Sequence, residues 1–201
     1  MNNRLLPPCF TVKPLALLIP IASVAILSSA VSAAVGIDDS ITGPTSTYFV
    51  SGTGINSLTV TNSGMISPNS IGNAVTIGVN ATLSGGIVNA GSIAAGYSGI
   101  GIFVEDGASV GSIANSGTIV GLPPMTSPLG AVGSGIVLGS STVASITNFG
   151  TITGDIELIG DAEVTGLISN QGSIEGSVQA FGTGTMSMPS IEKLVNAELT
   201  S

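Results

Sequence analysis

Four carboxylates lie within nine residues: Asp155, Glu157, Asp161 and Glu163. Paired acids of this kind can serve as general acid and general base, and on a polysaccharide they could support hydrolysis or lyase chemistry. Such a site also calls on cations when its substrate is a uronate. The chain has no His, and its three basic residues are Arg4, Lys13 and Lys193. A Ser-His or Cys-His nucleophile is therefore excluded. No Gly-rich phosphate loop ending in Gly-Lys-Ser/Thr is present. The nine-residue Gly-Gly-x-Gly-x-Asp calcium repeat is also missing, and the acids are too sparse for a closed oxygen shell. Asp155 and Glu157 alternate onto one outward side of a strand and Asp161 and Glu163 onto another, which reads most simply as a solvated acidic strip. No metal or other cofactor is implied. With so few cations, nucleic-acid binding is excluded.

The elements that would carry these residues are set by a repeat. Asn-x-Gly-x-Ile occurs five times, at Asn62, Asn89, Asn115, Asn148 and Asn170, with glycines at Gly64, Gly91, Gly117, Gly150 and Gly172. Successive asparagines are 27, 26, 33 and 22 residues apart, and recurrence at about 20–50 residues is the mark of a solenoid. Around each Asn the text is strand-like. Ile100, Ile102 and Val104 alternate with small or aromatic residues, and Ile156 and Leu158 alternate with acids; a period of two is the signal of a half-buried strand. Glu105-Asp106-Gly107 and Ile159-Gly160-Asp161 supply tight bends. About three short strands fit in each unit. The expected fold is all-β: a right-handed parallel β-helix, three-sided, over residues 46–185.

In Ile146-Thr147-Asn148-Phe149-Gly150-Thr151-Ile152 the asparagine shares parity with the isoleucines, so it faces the interior or its corner. A lone buried amide is costly, whereas stacked asparagines satisfy one another. The five asparagines are thus expected to form a structural ladder. The glycine two places on is expected to allow a bend closed to residues with a Cβ. Between Asn115 and Asn148 an insertion of about seven residues carries Leu122, Pro123, Pro124, Met125 and Pro128. Proline cannot donate to a ladder, and insertions in solenoids project as loops, so this is the candidate binding loop.

The ends differ from the repeat. Residues 1–33 have the form of a secretory signal peptide: Arg4 and Lys13, an apolar run from Leu15 to Leu27 broken by Pro20, then Ser28-Ser29-Ala30-Val31-Ser32-Ala33. The run is shorter than the ~20 residues of a membrane span. Cleavage is predicted after Ala33 or Ala34, leaving a mature chain with no transmembrane span and without Cys9, the single cysteine. Residues 34–45 are expected to be an irregular lead-in or cap. Residues 186–201 form a tail, in which Ile191, Leu194, Val195 and Leu199 have helical spacing and Ser190 can cap; the spacing predicts a short capping helix or a frayed tail.

The Asn-Ser-Gly-Thr-Ile repeats, preceded by Gly101-Ile102-Phe103-Val104-Glu105-Asp106-Gly107-Ala108-Ser109-Val110, resemble the passenger region of bacterial autotransporters. The likeness covers roughly residues 50–178. It implies a right-handed β-helix displayed outside a Gram-negative cell, often as an adhesin, with a host surface or an extracellular glycan or protein as partner. The family ends in a membrane β-barrel, and nothing after Gln179 has the alternating ten-residue strands of one; a separate outer-membrane translocator is then implied. Together these observations predict an exported, non-catalytic β-helix with a structural or adhesive role. It would lie at the cell surface or be secreted, and would be periplasmic without a translocator. The alternative is a β-helical polysaccharide lyase or hydrolase working through the Asp155/Glu157/Asp161/Glu163 face.

Overall fold

The computed structural model describes residues 37–123 and 133–182, together with the strand Leu194–Asn196. Strands follow one another in coils of three sides. β1 (Ile37–Ile41), β2 (Pro44–Thr45) and β3 (Tyr48–Val50) make the first coil, and β4 (Ile55–Val60), β5 (Met65–Ile66) and β6 (Val75–Ile77) the second. The third holds β7 (Thr82–Leu83), β8 (Gly86–Asn89), β9 (Ser92–Ala94) and β10 (Ile102–Val104). β11 (Ser109–Asn115), β12 (Thr118–Val120) and β13 (Ser134–Gly139) form the fourth; β14 (Thr142–Asn148), β15 (Thr151–Thr153) and β16 (Asp155–Ile159) the fifth. The sixth comprises β17 (Glu163–Val164), β18 (Ile168–Asn170), β19 (Ser173–Glu175) and β20 (Val178–Phe181), and β21 (Leu194–Asn196) follows.

Each side stacks on the same side of the next coil. Sheet A runs β1-β4-β8-β11-β14-β18-β21, with β7 and β17 beside it; sheet B runs β2-β5-β9-β12-β15-β19; sheet C runs β3-β6-β10-β13-β16-β20. The pairing is parallel throughout, as in β11 with β14 and β12 with β15. This all-β arrangement of three parallel-stranded sheets is consistent with a parallel β-helix, and no helix occurs among the described residues.

The register explains the sequence repeat. Leu58, Ile87, Ile113, Ile146 and Ile168 form one inward column. Ile66, Ile93, Ile119, Ile152 and Ile174 form a second, and Val75, Ile102, Ile136, Ile156 and Val178 a third. All but the terminal Ile174 and Val178 are almost fully buried. Each such side chain contributes roughly 1.5–3 kcal/mol through removal from water. The bends at the corner between sheets C and A carry positive φ after each of the first five coils, at Gly52, Asn80, Gly107, Ser140 and Gly160. Gly107 and Gly160 are the bends expected from the sequence.

Two expectations are corrected. Residues 37–45 are not irregular: β1 and β2 are the first coil, in register with β4 and β5. Several of the first coil's inward positions are nevertheless polar, although Ile41 packs against the core. Asp39, Thr45 and Tyr48 stand beneath Leu58, Ile66 and Val75, at the foot of the three apolar columns. The Tyr48 hydroxyl donates to Asp39 Oδ2 at 2.7 Å, joining sheets A and C across the end of the core. These polar residues end the apolar columns at the first coil, which is where a solenoid would need a cap. At the other end Leu194–Asn196 is a strand paired with β18, where the spacing had pointed to a helix. An isolated short helix is marginal in water, whereas the free edge of β18 offers unpaired backbone groups. Leu194-Val195-Asn196 also repeats the apolar-x-Asn pattern of Ile168-Ser169-Asn170. Residues 1–33, where a signal peptide is expected, and the rest of the 186–201 tail lie outside the described residues.

Candidate functional site

The recurring asparagines come first, because four of them are among the most buried polar side chains of the described residues. Asn89, Asn115, Asn148 and Asn170 follow one another in register at the corner between sheets A and B, and each is nearly inaccessible. Asn89 Nδ2 donates to Asn115 Oδ1, Asn115 Nδ2 to Asn148 Oδ1 and Asn148 Nδ2 to Asn170 Oδ1, each at 2.7 Å. The second amide hydrogen reaches a backbone carbonyl in the following coil: Thr118 O at 3.0 Å, Thr151 O at 3.2 Å and Ser173 O at 3.0 Å. Each backbone carbonyl of Asn89, Asn115 and Asn148 accepts two further N–H groups from the next turn. A buried amide whose partners are all present does not incur the cost of an orphaned one. This geometry engages the amide donors of Asn89, Asn115 and Asn148 within the ladder, so the column reads as structural.

Asn62 does not join the column. Val60 pairs in register with Asn89, and Ile41 with Val60, so aliphatic side chains fill the Asn position in the first two coils. Met65 pairs with Ser92, which keeps Gly64 level with Gly91. Two extra residues thus separate the column from the glycine in the second coil. Gly64 N closes a turn onto Thr61 O at 2.8 Å, and Asn62 is exposed at its tip. The ladder's first acceptor, Asn89 Oδ1, has no amide below it and takes Gly91 N at 3.2 Å.

The five turn glycines are required for a reason other than the expected one. None of Gly64, Gly91, Gly117, Gly150 and Gly172 has positive φ. What excludes a side chain is contact between coils: a Cβ at Gly91, Gly117, Gly150 or Gly172 would sit 2.0–2.2 Å from the carbonyl oxygen of the preceding glycine in the column. A Cβ at Gly64 would meet Ile41 O at 2.2 Å. Glycine here lets one turn lie directly on the last.

Three of the acids are anchored between coils. Asp155 accepts from Ser177 N at 2.7 Å and from Ser177 Oγ at 2.8 Å. Glu157 accepts from Ser134 Oγ at 2.7 Å, and Glu175 from Thr153 Oγ1 at 3.1 Å. Asp161 lies in the bend after β16, and Glu163 is exposed on sheet A. Asp155 and Glu157 thus share sheet C, away from Glu163. Among the described residues no group of three or more His, Cys, Asp or Glu is placed to hold a metal ion. At the first coil Ser57 Oγ and Asn56 Nδ2 donate to Asp38 Oδ1 at 2.6 and 2.7 Å. These bonds hold its carboxyl below the ordinary value, Ser57 contributing most.

The corner between sheets B and C carries stacked loops. Ile71 and Tyr97 form a parallel bridge across two of them, and both side chains are exposed. Leu122 and Pro123, expected in a projecting loop, still belong to this stack. Leu122 N donates to Gly99 O at 3.1 Å, and Pro123 O accepts from Ser98 N at 3.3 Å. Pro124, Met125 and Pro128 lie outside the described residues. A groove of about 320 Å³ lined by Pro44, Thr45, Ser46, Met65, Ser67 and Asn69 opens beside β2 and β5 and holds no titratable side chain.

Comparison with protein-family models, with curated proteins and with solved structures finds no match for the chain. Among the described residues no helix is long and apolar enough to cross a membrane.

Proposed function

We propose that this chain is a non-catalytic, right-handed β-helical rod that is exported through its N-terminal signal and serves a structural or adhesive role. Surface display through a separate outer-membrane translocator is the route its likeness to autotransporter passengers favours. The right-handed sense is the one that parallel crossovers within a sheet adopt. The observation that carries the reading is where the polar groups go. The asparagine amides hydrogen-bond to one another and to the backbone, and Asp155, Glu157 and Glu175 accept from neighbouring coils. Polar chemistry here builds coil-to-coil order, and the outer faces remain as the surface a partner would meet. Function rests on those faces, which a shared fold alone does not assign.

The test combines location with adhesion. N-terminal sequencing of the exported protein should begin at Ala34 or Val35, and protease applied to intact cells should remove the chain. Purified protein should adhere to a surface or cell type to which an unrelated acidic protein does not. An intact Met1, or protection from protease on intact cells, would overturn export and display. Cleavage of polygalacturonate that is lost in Asp155→Asn would overturn the non-catalytic reading.

A further inference from the structure

The chain has five phenylalanines, and the four in the described residues are all excluded from the core. Phe49, Phe149 and Phe181 are exposed, and Phe103 is half-buried. Aromatic side chains usually dominate a core; here the interior is aliphatic. Three of the four share one surface. Phe49 and Phe103 alternate outward from β3 and β10, between inward residues of the same strands. Register places Phe49, Thr76, Phe103, Val137, Glu157 and Gln179 in one outward line along sheet C. Beside that line Gly139, Ile159 and Phe181 form a second.

The rings lean along the solenoid axis. At Gly78 a Cβ would lie 2.8 Å from Phe49 Cζ, and at Gly139 a Cβ would lie 3.8 Å from Phe103 Cε2. Gly78 makes room for the Phe49 ring, whereas a Cβ at Gly139 would stand at ordinary contact distance from the Phe103 ring. Phe49 and Phe103 are two strands apart, hence separated by roughly 10 Å. Val137, outward by parity but only 3% exposed, fills the floor beyond Phe103. Thr76, Glu157 and Gln179 supply hydroxyl, carboxylate and amide groups along the same line.

Size and charge select the occupant. Six strands of up to five residues give a strip about 25 Å by 16 Å, roughly 400 Å². A stable protein interface needs about 800 Å² from each partner, so a second copy of this chain is a poor fit. The strip suits a linear molecule with apolar faces and hydroxyl edges. The described residues carry acids but no Lys, Arg or His, since Arg4, Lys13 and Lys193 lie outside them. Anionic glycans and anionic lipid surfaces would be repelled.

We propose that the outer face of sheet C binds an extended, neutral polysaccharide. Sugar rings lie on Phe49 and Phe103, and their hydroxyls meet Thr76, Glu157 and Gln179. This names a partner for the adhesive reading above and rests on it. The experiment is depletion of the exported full-length chain by microcrystalline cellulose and by chitin, with soluble polygalacturonate as the charged control. Retention on at least one neutral polysaccharide is expected, with none on polygalacturonate. Phe49→Ala and Phe103→Ala should each weaken it about tenfold, as loss of an aromatic anchor does. Phe149→Ala, off this face, should bind as the parent does, and circular dichroism would verify that each variant folds.

Absence of retention on both neutral polysaccharides overturns the proposal. So does equal weakening by Phe149→Ala, or self-association in sedimentation that Phe103→Ala abolishes. Adhesion to cells without polysaccharide retention sinks this inference and leaves the adhesive reading standing. Retention by a chain that is never exported does the reverse.

Discussion

Val60 lies in register directly beneath Asn89, so an aliphatic side chain underlies the first amide of the ladder. The asparagine that the sequence offers for that coil, Asn62, stands at an exposed turn. The repeated motif therefore has two physical meanings: four of its asparagines are interior hydrogen-bonding groups and one is a surface residue.

That difference predicts unequal mutants. Asn115→Ala removes the acceptor of Asn89 Nδ2 and the donor to Asn148 Oδ1. Unpaired buried groups cost about 1–3 kcal/mol each, so a loss of roughly 2–4 kcal/mol is expected. Asn62→Ala should stay within about 0.5 kcal/mol of the parent, as surface changes do. Urea unfolding measures both, and equal losses would refute the assignment.

Gly117→Ala should destabilise by about 3 kcal/mol, at the upper end for overpacking. Its new Cβ would sit 2.1 Å from Gly91 O, and a backbone atom has little room to retreat. Thermal melting measures the effect. A neutral result would mean that the turns are not in direct contact.

Ser141→Ala should stabilise the protein. Ser141 is buried and its hydroxyl has no hydrogen-bond partner. The backbone bonds Ser109 N to Ala81 O, Thr142 N to Ala108 O and Glu163 N to Ser141 O place it in a column with Ala81, Ala108 and, one coil on, Ala162. Removal of an unsatisfied hydroxyl should gain about 1–2 kcal/mol. A lower denaturation midpoint in the variant would contradict this.

The first-coil cap should fail in alkali. Partial burial, then the hydrogen bond to Asp39 and its charge, raise the Tyr48 phenol above its ordinary 10.0. A raised folded-state value means that the native protein holds the proton more tightly than the unfolded chain. The contribution is whole below about pH 10 and is lost as pH rises through the folded value. Tyr48→Phe should melt lower at neutral pH and converge on the parent in alkali. Parallel curves across pH 8 to 12 would dismiss the cap's role.

Much of the fold was legible because strand alternation and the Asn-x-Gly-x-Ile spacing are local. Ile113, Asn115, Gly117 and Ile119 announce a buried strand, a corner and the next strand within seven residues. The two-residue excess between Val60 and Gly64 was not legible, because it appears only when neighbouring coils are laid in register. Leu194–Asn196 was misjudged because apolar spacing in so short a segment fits a helix and a strand alike, and the free edge of β18 decided between them. The polar foot of the core was hidden in Asp39, Thr45 and Tyr48, whose columns exist only after folding. The aromatic line on sheet C was equally hidden: Phe49 and Phe103 are 54 positions apart in the chain. The acids were visible as types, but their engagement by Ser134 and Ser177 required the structure.

The amide column also changes how a pulling load would be carried along the length of the solenoid. From the third coil to the sixth, side-chain bonds run parallel to the axis and share any pulling load with the backbone pairs between coils. Below Asn89, at Val60 and Ile41, this column adds no such tie. The first coils are tied instead from the outer side, by Ser57 and Asn56 to Asp38 and by Ser84 to Asn56, so an axial load passes from surface side chains there to the buried amides beyond Asn89.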